Sequence, residues 1–294
     1  MRKAFIQLHL AVFLAGFTGV LGRLITLNEA LLVWYRLLIT VVTLWVIYFF
    51  QRKLHSISRA GIARICGVGV VVALHWVTFY ASIKYANVSV ALVCFSAIGF
   101  FTAILEPLIT RKPFNRNELL LGLLVIAGIY LIFHFDPQYK TGIIMGIISA
   151  LLASLFPVFN RVLVQQYKPE TVTLYQLSGG FLFLTILVPF YLQVVPASYL
   201  VPTITDAGWL LVLGWFCTVL AFNLSMNALK KISAFTVNLT YNLEPLYGIA
   251  LAFIIYREDK YLSGSFYIGL LLIVLSVFLQ TWLVYRGRKK QHTI

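Results

Sequence analysis

The chain alternates between long apolar runs and short polar stretches. A bilayer span needs about 20 mainly apolar residues. Ten windows qualify: 4–22, 30–50, 62–84, 88–110, 118–135, 141–164, 171–192, 207–229, 233–255 and 264–285. The connections between them leave no room for a sizeable soluble domain. The first run follows Met1-Arg2-Lys3 and could pass for a signal peptide. Nine further runs follow it with no small-residue cleavage site, so it is expected to be an uncleaved first helix.

Composition agrees with the pattern. Hydrophobic residues make up 61% of the 294, charged residues 11%, and mean hydropathy is +0.92. A soluble domain of this composition could not cover its surface with polar groups. The net charge of +14 would suit nucleic acid, but its distribution argues for topology. With the N-terminus inside, the connections containing Arg2, Lys3, Arg52, Lys53, Arg59, Arg64, Arg111, Lys112, Arg116, Arg161, Lys168, Lys230, Lys231, Arg286, Arg288, Lys289 and Lys290 are cytoplasmic. Only Arg23, Lys84, Lys140, Arg257 and Lys260 fall outside. This bias predicts cytoplasmic termini and contact with anionic lipid, not nucleic acid. Cys66, Cys94 and Cys217 lie within spans without paired spacing and read as packing residues.

The second half echoes the first. Ser82-Ile83-Lys84-Tyr85 aligns with Ala228-Leu229-Lys230-Lys231, and the same register carries Arg111 onto Arg257. Gly122 pairs with Gly269, and Arg23 with Arg161. Five spans per half is an odd number, so the halves must be inverted. The expected fold is an all-α polytopic membrane protein of ten transmembrane helices in two inverted five-helix repeats, 1–138 and 139–294.

The segment HWVTFYASIKYANVSVALVCFSAIGFFTAILEPLI (75–109) resembles the signature of the EamA branch of the drug/metabolite transporter superfamily. NLSMNALKKISAFTVNLTYNLEPLYGIALAFIIYRED (223–259) is similar to the same pattern, with Pro245 and the acidic Glu258 after the span. The chain departs from that family at Gly99, where proline is frequent, and at Lys112-Pro113, where Gly-Glu is usual. The resemblance implies a cavity lined by helices 1, 3, 4, 6, 8 and 9, and export or exchange of small metabolites across the cytoplasmic (inner) membrane of a bacterium.

Charges within spans cost about 2.5–3.5 kcal/mol on insertion scales, so each needs a reason. Glu244 lies mid-span in Asn242-Leu243-Glu244-Pro245, where the proline is expected to loosen the helix. It is the candidate for proton or cation coupling, or for holding a substrate ammonium; the alternative is a hydrogen-bonded helix linker. Glu106 reads as an interfacial partner of Arg111 and Lys112. Arg36 can snorkel, pair with Glu29 or bind a carboxylate, and a structural role is favoured. On helix 3, His75, Trp76, Phe79 and Tyr80 share an arc of roughly 140°. They are candidate substrate-binding residues, with ordinary aromatic packing as the alternative. Asn223, Asn227, Tyr241 and Asn242 are the candidates from the other half, or else interhelical links. Gly16, Gly19 and Gly22 read as close helix packing.

No HExxH, GxSxG, paired in-span aspartates or metal-ligand cluster occurs, so neither enzyme, metal site nor cofactor is expected. The reading is a secondary transporter of small organic metabolites, with the bilayer, a small-molecule substrate and protons as partners. A channel, a receptor or scaffold, and an intramembrane enzyme are the alternatives. Substrate, direction and oligomeric state are not encoded legibly.

Overall fold

The computed structural model describes residues 2–111, 113–135, 137–229, 240–241 and 243–291. In chain order its helices are α1 (Arg2–Leu24), α2 (Glu29–Phe50), α3 (Arg59–Tyr85), α4 (Val88–Phe95), α5 (Ile98–Thr110), α6 (Arg116–Phe135), α7 (Lys140–Gln166), α8 (Pro169–Val194), α9 (Ile204–Gly214), α10 (Ala221–Leu229), α11 (Glu244–Tyr256) and α12 (Gly264–Gln291). No strand occurs among the described residues. Without water to satisfy backbone groups, helices are how such apolar runs cross a bilayer.

Polar residues in the connections set where helices start. Asn28 accepts the Ala30 N–H at 2.9 Å, Ser58 that of Gly61 at 3.1 Å, and Asn87 that of Val90 at 2.8 Å. Pro169 opens α8, where its missing donor costs nothing. Arg111 and Arg257, matched in the sequence repeat, both close their helices in the left-handed conformation (φ 55° and 54°). The helices they end, α5 and α11, each have 13 residues.

Among the described residues, eight spans are long and apolar enough to cross a membrane, α4 and α5 counting as one and α9 to Ser225 as another. The apolar stretches Glu244–Tyr256 and Gly264–Leu279 are shorter; they occupy the expected ninth and tenth windows, the former in part. Some of the expected helices are interrupted. The 88–110 window breaks at Ser96-Ala97, where the Ser96 hydroxyl donates to the Leu92 carbonyl at 3.1 Å. The 207–229 window widens into a π-helix over Trp215–Leu220.

Helix α3 lies at the centre, packed against α7 and α8; α1 packs on α10 and α11, α2 on α8 and α9, and α6 on α12. The crossings rely on small residues. A Cβ on Gly69 would lie 1.9 Å from the Gln176 carbonyl of α8. One on Gly16 would lie 3.0 Å from the Glu244 carbonyl, and one on Gly248 would lie 3.0 Å from the Gly16 carbonyl. Dispersion between closely approaching backbones drives such contacts, since lipid gives no hydrophobic preference for helix over tail.

Candidate functional site

At the centre, the aromatic arc of α3 divides between two neighbours. His75 turns toward α7: its Nδ1 lies 2.9 Å from the Ser149 hydroxyl and 3.1 Å from the Ser149 carbonyl. The imidazole stacks on Phe95 at 5.5 Å, with Phe156 and Phe79 beside it. Phe79 is buried in the same cluster. Trp76 and Tyr80, about 100° further round the helix, turn toward α2. There the Arg36 guanidinium sits 3.8 Å over the Trp76 ring, and its Nη1 donates to the Tyr80 hydroxyl at 2.9 Å.

Arg36 therefore reaches inward rather than snorkelling. It is 3% exposed. It does not take Glu29, whose carboxylate accepts from Tyr191 at 2.5 Å. Its Nε donates to the Thr218 hydroxyl at 3.0 Å, and Thr218 in turn donates to the Leu213 carbonyl, five residues back, at 2.9 Å. The π-helix places Thr218 there. Such insertions frequently accompany functional sites, and nothing in the apolar pattern of 207–229 signals this one.

Glu244 opens α11, with Pro245 in its first turn. Just before it, Thr240 and Tyr241 are helical and Leu243 forms a turn. The carboxyl is half-buried and lies close enough to Arg36, Tyr80 and Tyr241 to interact electrostatically. Tyr241 meets the Ser225 hydroxyl at 2.7 Å, linking the start of this segment to α10. The structure thus brings Trp76 and Tyr80 onto Arg36, sets Glu244 within electrostatic reach of both Arg36 and Tyr241, and keeps His75 and Phe79 in the α3–α7 packing. Asn223 is exposed on α10. The Asn227 side chain and Asn242 lie outside the described residues.

The two ends of the bundle carry distinct polar contacts. At one end Arg23 of α1 forms an ion pair with Glu258, just beyond α11. The buried Glu258 carboxylate also accepts the N–H groups of Val88 (3.1 Å) and Ser89 (2.8 Å) and the Ser89 hydroxyl (2.5 Å), capping α4. Beside it, Lys84 donates to the Ile25 and Leu27 carbonyls. Asp206 accepts the Thr26 N–H at 2.8 Å and the Tyr199 hydroxyl at 2.8 Å. Burial, and the carboxylate beside it, push the Tyr199 phenol above its usual range, which keeps it a donor. At the opposite end Glu106 of α5 pairs with Arg161 of α7 at 2.9 Å, and Lys168 approaches His55 at 3.0 Å. The Arg161 pairing joins the two halves; Lys112, which the sequence suggested as a partner of Glu106, lies outside the described residues.

The model of the EamA-like transporter family matches residues 2–134 and again 140–282. The chain belongs to the EamA-like transporter family. Relatives of this EamA-like chain include a protein of Haemophilus influenzae, 24% identical over 52% of this chain and 53% of that one, named an uncharacterized transporter. Two proteins of Helicobacter pylori carry the same name. One is 25% identical over 83% of this chain and 82% of its own length, the other 27% identical over 48% and 49%. The chain thus spans about half the length of two of these curated relatives. A solved crystal structure shares its fold with TM-score 0.63 at 14% identity, covering 95% of this chain and 98% of that one. The apolar helices and the family together make this EamA-like chain a multi-pass membrane protein.

Proposed function

We propose that this protein is a secondary transporter that exports or exchanges small organic metabolites across the cytoplasmic membrane by alternating access between repeats 1–138 and 139–294. One observation carries the reading. Each end is closed by an ion pair between the two halves: Arg23 with Glu258 at one end, Arg161 with Glu106 at the other. The arginines are partners in the sequence repeat. Two repeats that rock about a central site need separable contacts at both mouths, and ion pairs supply them. Family membership and the relatives' names support transport over enzymology.

Glu244 is the coupling group in this reading, an isolated carboxyl that must be neutral or paired when water is excluded. Trp76, Tyr80 and Tyr241 form the wall around it, with Asn223, Asn227 and Asn242 from the same half and His75 and Phe79 as support behind. Both termini are cytoplasmic, so the Arg161 end faces the cytoplasm. Counterflow in proteoliposomes over a metabolite panel tests the function: stimulated exchange is expected, and its absence across the panel, with folded protein, overturns it. Glu244→Gln tests coupling. It should abolish uphill, pH-dependent transport while the protein still folds, and wild-type uphill transport at every pH returns Glu244 to a structural role.

A further inference from the structure

Arg36 lies seven residues beyond the start of α2, about 10 Å along the helix axis. It is enclosed, and a guanidinium there calls for a counter-charge. Its contacts are all to neutral groups: the Thr218 and Tyr80 hydroxyls and the Trp76 ring. Neither carboxyl nearby serves. Glu29 is taken by Tyr191, and Glu244 acts on Arg36 only through space, without an ion pair within 4.0 Å.

The guanidinium has five N–H donors. Nε and Nη1 each make one bond to a described residue, and Nη2 makes none. The fully enclosed, unpartnered side-chain atoms among the described residues belong to Asn160, Thr171 and Asp259. Arg36 Nη2 is not one of them. The cation is thus fixed on three sides, by α3, by the π-helix and by its own helix, with one edge of its fork unsatisfied.

We propose that Arg36 is the anion-recognising residue of this carrier, binding the carboxylate of an amphipathic organic substrate through the free edge of its guanidinium. The inference rests on the transporter reading and names the chemistry its site selects. A carboxylate matches two parallel N–H donors in one plane. A single guanidinium suits one carboxylate better than a phosphate, whose higher charge calls for several cations. Trp76 and Tyr80 hold the guanidinium and offer aromatic surface beside it. Thr218 is a positioning residue, since it orients Arg36 without reaching the free edge.

The test is equilibrium binding to the purified full-length protein in detergent, by calorimetry, with three probes of one shape: phenylacetate, phenylacetamide and phenethylamine. Wild-type protein should bind phenylacetate at least about tenfold more tightly than the other two, the difference of one charge-assisted contact. Arg36→Gln should abolish that preference, and Arg36→Lys should keep part of it. Equal binding of the three probes by wild type, or no phenylacetate binding up to about 10 mM, overturns the proposal without need of a variant. So does a folded Arg36→Gln protein that retains the preference. Counterflow is measured separately. Carboxylate binding without exchange keeps the role of Arg36 and sinks the carrier; exchange confined to amines does the reverse.

Discussion

The two ends of the bundle hold the halves together by different means. At the Arg23 end, Glu258 is 3% exposed at its side chain and receives four donors. Lys84 and Asp206 tie the neighbouring connections to the same cluster. At the Arg161 end the pairing side chains are 60% and 32% exposed. At the first end the carboxylate is buried while Arg23 is 44% exposed, so its worth lies mainly in the backbone and hydroxyl donors it satisfies, whereas an exposed pair contributes about 0–1 kcal/mol. One end is thus a lock and the other a loose clasp. What differs is burial, since each end uses one arginine and one glutamate.

The largest effect expected is that of Glu258→Ala. It uncaps α4 and leaves the buried Val88 and Ser89 donors without their acceptor, and should cost about 2–3 kcal/mol in denaturant unfolding. A cost below about 1 kcal/mol would mean the buried lock is no stronger than the clasp. Next is Gly69→Ala, which drives a methyl into the Gln176 carbonyl where α3 meets α8. It should lower the melting temperature by several degrees, whereas Gly67→Ala, with nothing within 4 Å, should leave it unchanged. Equal effects of the two would remove backbone approach as the reason for glycine. Trp76→Ala and Tyr80→Ala should cut transport with near-normal expression; loss of folding in both returns them to packing. The smallest stability effect is that of Arg161→Gln, within about 1 kcal/mol. Its signature is accessibility: cysteines near Glu106 should label faster, while those near Glu258 do not change. Reporter fusions after Arg116 and Lys168 should both read cytoplasmic, and one after Asp136 external, which fixes which mouth is locked.

Much of the fold was legible because membrane spans announce themselves by length and apolarity. The windows 30–50, 62–84 and 171–192 each differ from their helices by only a few residues at either end. The repeat was legible through charges at helix ends, and Arg111 and Arg257 do adopt matching left-handed caps. The site was less so. The four aromatics of α3 looked like one surface, yet α3 is surrounded, and an arc that wide meets α7 on one flank and α2 on the other. Arg36 looked peripheral, because its reach toward Trp76 depends on how α2 leans on its neighbours.

Sequence alone determined that this chain is helical, membrane-spanning, doubled and EamA-like. Those properties follow from local hydrophobicity, helix-end chemistry and a register repeated along the chain. The tertiary structure decided which charges meet. Arg23 finds Glu258 across 235 residues and Arg36 finds Thr218 across 182. Pairings at such separation depend on helix crossings set by small residues and on a π-helix that shifts one hydroxyl into place. The energies concerned are a few kcal/mol, distributed over packing contacts that no linear pattern records.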